Sequence, residues 1–149
     1  MDYQERSTLV TNHLMQMKLV VTSILVSVGL LAGVSWIISS SGRAPAPVAG
    51  ADNLMLALAP LAVALLGMAP AIKRVIFKRA EASGFATDVP RWLAAHRSAV
   101  IAASALREGA AILGFILSLL MARPLWSYLF SLMAFIALLL DWPRPEELE

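Results

Sequence analysis

Four apolar runs, joined by short polar connections, leave this chain very few folds. An α-helix rises about 1.5 Å per residue, so some twenty residues cover a hydrocarbon core of about 30 Å. The first run, Leu19–Ile38, has that length and carries no charge. The second, Leu54–Ile72, contains Pro60 and runs into Pro70 near its end. Pro60 should kink it, which a membrane helix tolerates when neighbours satisfy the freed carbonyl. The third occupies about 98–122 and the fourth Leu125–Leu140. The fold class expected is all-α, a four-helix transmembrane bundle forming one membrane domain over residues 1–149.

Composition sharpens this. Of 149 residues, 59% are hydrophobic, against about 45–50% in ordinary soluble domains. The first run is too long for the apolar core of a secretory signal, about 7–15 residues, and is read as a permanent span. The chain has no cysteine, which removes disulfide, thiolate-metal and dithiol chemistry. Its two histidines, His13 and His96, lie in different polar segments, so no metal centre or other cofactor is expected. A net charge of +2 gives no reason to expect nucleic acid.

The connections carry the other signals. Ser39–Asn53 is rich in small residues, Gly and Pro and reads as a loop. The segment 73–97 reads as a basic loop between the second and third spans. Within it, Asp88 is a candidate helix cap and Pro90 a first-turn residue, so one long helix should run from about Pro90 to Ala122. Residues 1–18 are polar and mixed in charge, with Leu14, Met15 and Met17 forming the apolar side of a pre-membrane turn. Lys and Arg in short connections set orientation. The central loop holds Lys73, Arg74, Lys78, Arg79, Arg91 and Arg97, against Arg43 and Arg123 in the two others. That asymmetry predicts both termini in the cytoplasm and residence in the cell (inner or plasma) membrane. Trp36, Trp92, Trp126 and Trp142 all fall at span ends, where an indole prefers to sit.

Arg107 and Glu108 are the only charges deep within a span. Such a charge costs at least about 2.5–3.5 kcal/mol on insertion scales, so it usually faces a partner, a bundle interior or a water-filled path. Adjacent helical residues point about 100° apart, so the two cannot face one neighbour squarely. The long Arg107 side chain can reach back toward the cytoplasmic surface or toward Asp141. Glu108 is shorter and cannot. Either the two charges fix packing, or Glu108 binds an ion.

The stretch around Glu108, residues 104–124, resembles the carboxyl-bearing helix of rotary ATP synthase ring subunits, the c-type proteolipids. The likeness rests on Ala105 three residues before Glu108, Gly114 six residues after it, an apolar run and the exit Arg123-Pro124. It implies a hairpin of the second and third spans with its loop in the cytoplasm, and gives Glu108 the role of binding a proton or sodium ion. The chain departs from the pattern in lacking an alternating-glycine run in the second span, in placing Arg107 beside the carboxyl, and in having two further spans.

Three smaller features complete the reading. Gly29 and Gly33 form a G-x-x-x-G, a candidate close-contact helix face, and Gly114 is a further packing candidate. Lys73, Arg74, Lys78 and Arg79 can bind anionic lipid headgroups or serve as the orientation signal. No convergent acid, base or nucleophile stands in the polar segments, so an enzyme is not expected. The function expected is that of a non-enzymatic membrane protein, a subunit or accessory component of a larger complex or homo-oligomer surrounded by membrane lipids. The alternative is ion translocation through Glu108.

Overall fold

The computed structural model describes residues 3–42, 46–84 and 88–144. Four helices make up the described chain: α1 (Tyr3–Ser40), α2 (Ala51–Ala82), α3 (Val89–Leu120) and α4 (Leu125–Leu140). There is no strand among the described residues. Three of the helices are long and apolar enough to cross a membrane. The fourth, α4, has 16 residues and measures about 24 Å, short of a full hydrocarbon thickness. Large apolar side chains point outward along the bundle, including Leu30 and Ile37 of α1, Leu56 and Val63 of α2, and Leu132 and Leu140 of α4. An outward apolar surface of this extent fits a lipid solvent, and the chain is read as a membrane protein.

Two helices extend beyond their apolar runs. α1 reaches back to Tyr3, so the polar first segment is helical. It contains neither Gly nor Pro, and its inner stripe continues the buried spacing of the span. His13, Met17, Val21, Val28 and Ser35 are buried, with Ile24 and Leu31 partly buried between them. Met17 is therefore a core residue, fully enclosed, rather than part of a surface turn. α2 likewise continues through the basic residues as far as Ala82. The segment 73–82, expected as loop, stays helical because no breaker precedes Gly84 and because Ile76, Phe77 and Ala80 carry an inward face onward. The α2–α3 connection shrinks to the few residues from Ser83 to Asp88.

Local chemistry sets the other ends. The Asp88 carboxylate accepts from the Arg91 backbone N–H at 3.4 Å, with Pro90 in the first turn of α3. α3 ends in a tight reversal in which the Arg123 N–H donates to the Ser118 carbonyl and Ala122 takes a φ of 51°. The Val48 N–H donates to the Leu120 carbonyl at 3.0 Å, so the first loop satisfies a carbonyl that the end of α3 would leave open.

α3 is the hub: α1, α2 and α4 all pack on it. Its α2 side is lined by alanine. Ala62, Ala110, Leu117 and Phe130 form one buried cluster, joined by Leu58, Leu65 and Leu113. On the other side Met17, Val21, Val28, Val100, Ala111, Ala134 and Leu138 unite α1, α3 and α4. Small residues on α3 let helices approach closely, which dispersion rewards where lipid cannot supply a hydrophobic drive.

Candidate functional site

The polar groups of the bundle interior collect on the side of α3 that faces α1 and α4. Three contacts tie α1 to α3. His13 Nε2 lies 3.2 Å from His96 Nδ1. The Ser27 hydroxyl donates to Glu108 Oε1 at 2.6 Å. The Ser35 and Ser118 hydroxyls lie 3.4 Å apart. The sequence separations are 83, 81 and 83, so the two helices run parallel in nearly constant register. From His13 to Ser35 the seam extends about 33 Å by helix rise, beginning before the apolar run of α1 and ending within it.

The seam is a row of separate contacts, not an open channel. Met17, Val21 and Val100 are buried between the histidine pair and Glu108. Dry apolar packing of this kind gives water no foothold. At the far end, Ser35, Ser39 and Ser118 line a pocket of about 10 Å³, barely one water in size.

Arg107 turns toward α4. Its Nη2 donates to Asp141, which caps the end of that helix. The Arg107 side chain is 6% exposed and that of Asp141 33%, so one partner is enclosed while the other meets the surroundings. Arg107 Nε has no hydrogen-bond partner among the described residues. Glu108, one position on, serves α1 through Ser27. The adjacent charges thus hold two different helices.

The glycines separate clearly. A Cβ built on Gly114 would lie 2.5 Å from Phe130 Cβ and 3.0 Å from the Trp126 carbonyl oxygen, so α4 crosses α3 where only glycine fits. A Cβ on Gly29 or Gly33 meets nothing within 4 Å, so neither makes a close helix contact within the described chain. Gly29 instead lines an apolar groove between α1 and α4 of about 320 Å³, together with Val28, Ala32, Tyr128, Ser131, Leu132 and Phe135. Ser131 is 4% exposed, and its hydroxyl has no partner among the described residues. Ser127, one turn earlier, is also buried without one.

Arg74, Lys78 and Arg79 are exposed on the last turns of α2, and Lys73 is half-buried there. No group of three or more His, Asp or Glu side chains converges among the described residues.

Sequence reasoning passed over the serines and the pairing of the two histidines; His96, in the interface near Arg97, suggests a pH-sensing residue, but the sequence names no partner for it. The signal available was spacing: His13, Met17, Val21, Val28 and Ser35 fall on one helix face, so polar residues lay on an inward stripe. The comparisons with known proteins gave no match to a family model, a curated protein or a solved structure, and the functional reading rests on these residues.

Proposed function

We propose that this chain is a small, non-enzymatic subunit or accessory component of a larger membrane assembly, and that its α1–α4 groove receives a transmembrane helix of a neighbouring subunit. The observation that supports the reading is an apolar groove between α1 and α4 that Gly29 leaves open, with the enclosed Ser131 hydroxyl at its floor lacking a partner among the described residues. Arg107 and Glu108 each already hold a helix of this chain, through Asp141 and Ser27, and neither lines the groove. A lipid tail can fill an apolar groove but offers no hydrogen bond. A helix with a polar side chain or an accessible carbonyl offers one, and small residues allow it to come close. On this reading both termini and the basic end of α2 face the cytoplasm of the cell membrane, with Arg74, Lys78 and Arg79 among lipid headgroups.

The test is purification in mild detergent of the wild type beside Gly29→Leu and Ala32→Leu, which fill the groove from the α1 side. The wild type should carry a stoichiometric partner, either another subunit or a second copy, and both variants should lose it while remaining folded. A wild type that is monomeric with nothing attached refutes the reading. So does a partner retained in full by both variants.

The Ser27–Glu108 hydrogen bond favours a second reading, in which Glu108 binds and releases a proton or sodium ion as its counterpart does in ring subunits. A Ser hydroxyl can donate to a carboxylate and accept from a carboxylic acid, so it accommodates either state. A carbodiimide specific for protonated carboxyls should then label Glu108, and Glu108→Gln should abolish ion flux with assembly intact. Absence of labelling across acidic and neutral pH removes this reading.

A further inference from the structure

The histidine pair belongs to neither the groove nor the Glu108 contact. His13 lies six residues before the apolar run of α1, and His96 lies just before that of α3. His96 is fully buried and His13 is 8% exposed. Their ring centroids are 5.4 Å apart, and the Phe77 ring of α2 lies 5.7 Å from that of His96. The two nitrogens at 3.2 Å are thus enclosed by three helices.

We propose that the His13–His96 contact is a proton-operated latch that holds the first turns of α1 against α3 and releases them in acid.

The argument is one of donors and acceptors. A neutral imidazole has one N–H and one lone pair, so two neutral rings can make one N–H···N bond. One added proton preserves that bond, because an imidazolium can donate to a neutral ring. A second proton removes the only acceptor: two N–H groups then face each other, with two positive charges in a site that excludes water. The packed pair therefore holds at most one proton, and the second must separate the rings.

The surrounding groups favour this behaviour. From α3, Arg97 adds its positive field to that of His96. On α2 the ring against His96 is Phe77, which is uncharged, with Lys73 and Glu81 one turn to either side on that face. On α1 the same-face neighbours of His13 are Leu9 and Met17, both uncharged. Burial first, then His96 and Arg97, hold His13 below its ordinary value of 6.5. The released form, in which His13 returns to its ordinary value, then binds protons more readily than the packed form. The contact is at full strength above about pH 6.5 and weakens as the pH falls below it.

The chain lacks cysteine, so two introduced ones report distance without background. Thr8→Cys on α1 and Ala94→Cys on α3 occupy exposed positions on either side of the pair. Spin labels there, in the full chain in lipid nanodiscs, should give one short distance at pH 7.5 and a longer population at pH 5.0. The ratio of released to packed molecules should rise about tenfold per pH unit for each proton taken up on release. His13→Gln with His96→Asn replaces the imidazoles by amides that hydrogen-bond without titrating, and should keep the short distance at both pH values. An unchanged distance in the wild type overturns the proposal, as does an acid shift that survives in the double variant. If the double variant does not fold, imidazole ¹⁵N titration of the wild type decides. Two separated steps, the second well below 6.5, support the latch; two histidines titrating together near 6.5 overturn it.

Discussion

Replacing Gly114 by alanine adds a single methyl at the point where α3 and α4 are closest. That methyl would sit 2.5 Å from Phe130 Cβ, 2.9 Å from Phe130 Cδ2 and 3.0 Å from the Trp126 carbonyl oxygen. Cδ2 can swing away, but Cβ and the carbonyl are fixed to the α4 backbone, so the helices must part. Overpacking of this kind costs about 1–3 kcal/mol. Alanine recovers about 0.5–1 kcal/mol of helix propensity, leaving a net loss of about 0–2.5 kcal/mol. Two internal controls calibrate the measurement. A Cβ at Gly67 meets nothing within 4 Å, and one at Gly109 meets only Leu65 Cδ1 at 3.4 Å. Gly67→Ala and Gly109→Ala should therefore be neutral or slightly stabilising. The assay is equilibrium unfolding in mixed micelles, followed by the fluorescence of the tryptophans, of which Trp126 stands at the contact. In a Phe130→Ala background, itself destabilised by loss of a buried ring, Gly114→Ala should cost less but still cost something, because Cδ2 is gone and Cβ remains. Gly114→Ala as stable as Gly67→Ala would refute the claim that this crossing requires glycine.

The Arg107–Asp141 pair makes an asymmetric prediction. Asp141→Asn leaves an enclosed guanidinium with no countercharge and should cost about 2–4 kcal/mol, moderated because Asp141 is one-third exposed. Arg107→Met combined with Asp141→Leu should recover most of that in the same unfolding assay, and independent, additive losses would show that the pair is not coupled. Ala122 adopts a left-handed φ of 51° in the α3–α4 reversal, so Ala122→Gly should raise stability by up to about 1 kcal/mol, and a loss of stability would show that the reversal is unstrained.

The parts of this structure that the sequence discloses are those governed by local or solvent chemistry. The apolar runs reflect the length rule for membrane helices, and the start of α3 follows from Asp88 and Pro90 acting within one turn. The missed parts depend on neighbours in space. Nothing in Asn12-His13-Leu14 says that the imidazole will meet another 83 residues away, because register between parallel helices is a tertiary property. The basic end of α2 was hidden for a related reason. Charge suggested a loop, while Ile76, Phe77 and Ala80 kept the helical period against α3, and packing prevailed. Glycine is ambiguous in the same way. Gly29, Gly33 and Gly114 look alike in one dimension, yet only Gly114 has another helix pressed against its Cα.

The placement of Arg107 and Glu108 side by side has a structural logic that follows from helix geometry. Consecutive residues point about 100° apart, so an adjacent pair on a central helix addresses two neighbours at the same depth. Here Arg107 reaches the end of α4 through Asp141, and Glu108 reaches the middle of α1 through Ser27. The α2–α3 hairpin, faced with alanine, can pack without either charge, since Ala62 and Ala110 meet on the other side of α3. Left as a hairpin, α3 would hold two uncompensated charges in hydrocarbon, each costing a few kcal/mol. α1 and α4 each remove one of these penalties, and an arrangement that misplaced either helix would restore it. The adjacent pair thus bonds α3 to two different helices, beside apolar clusters on both of its sides.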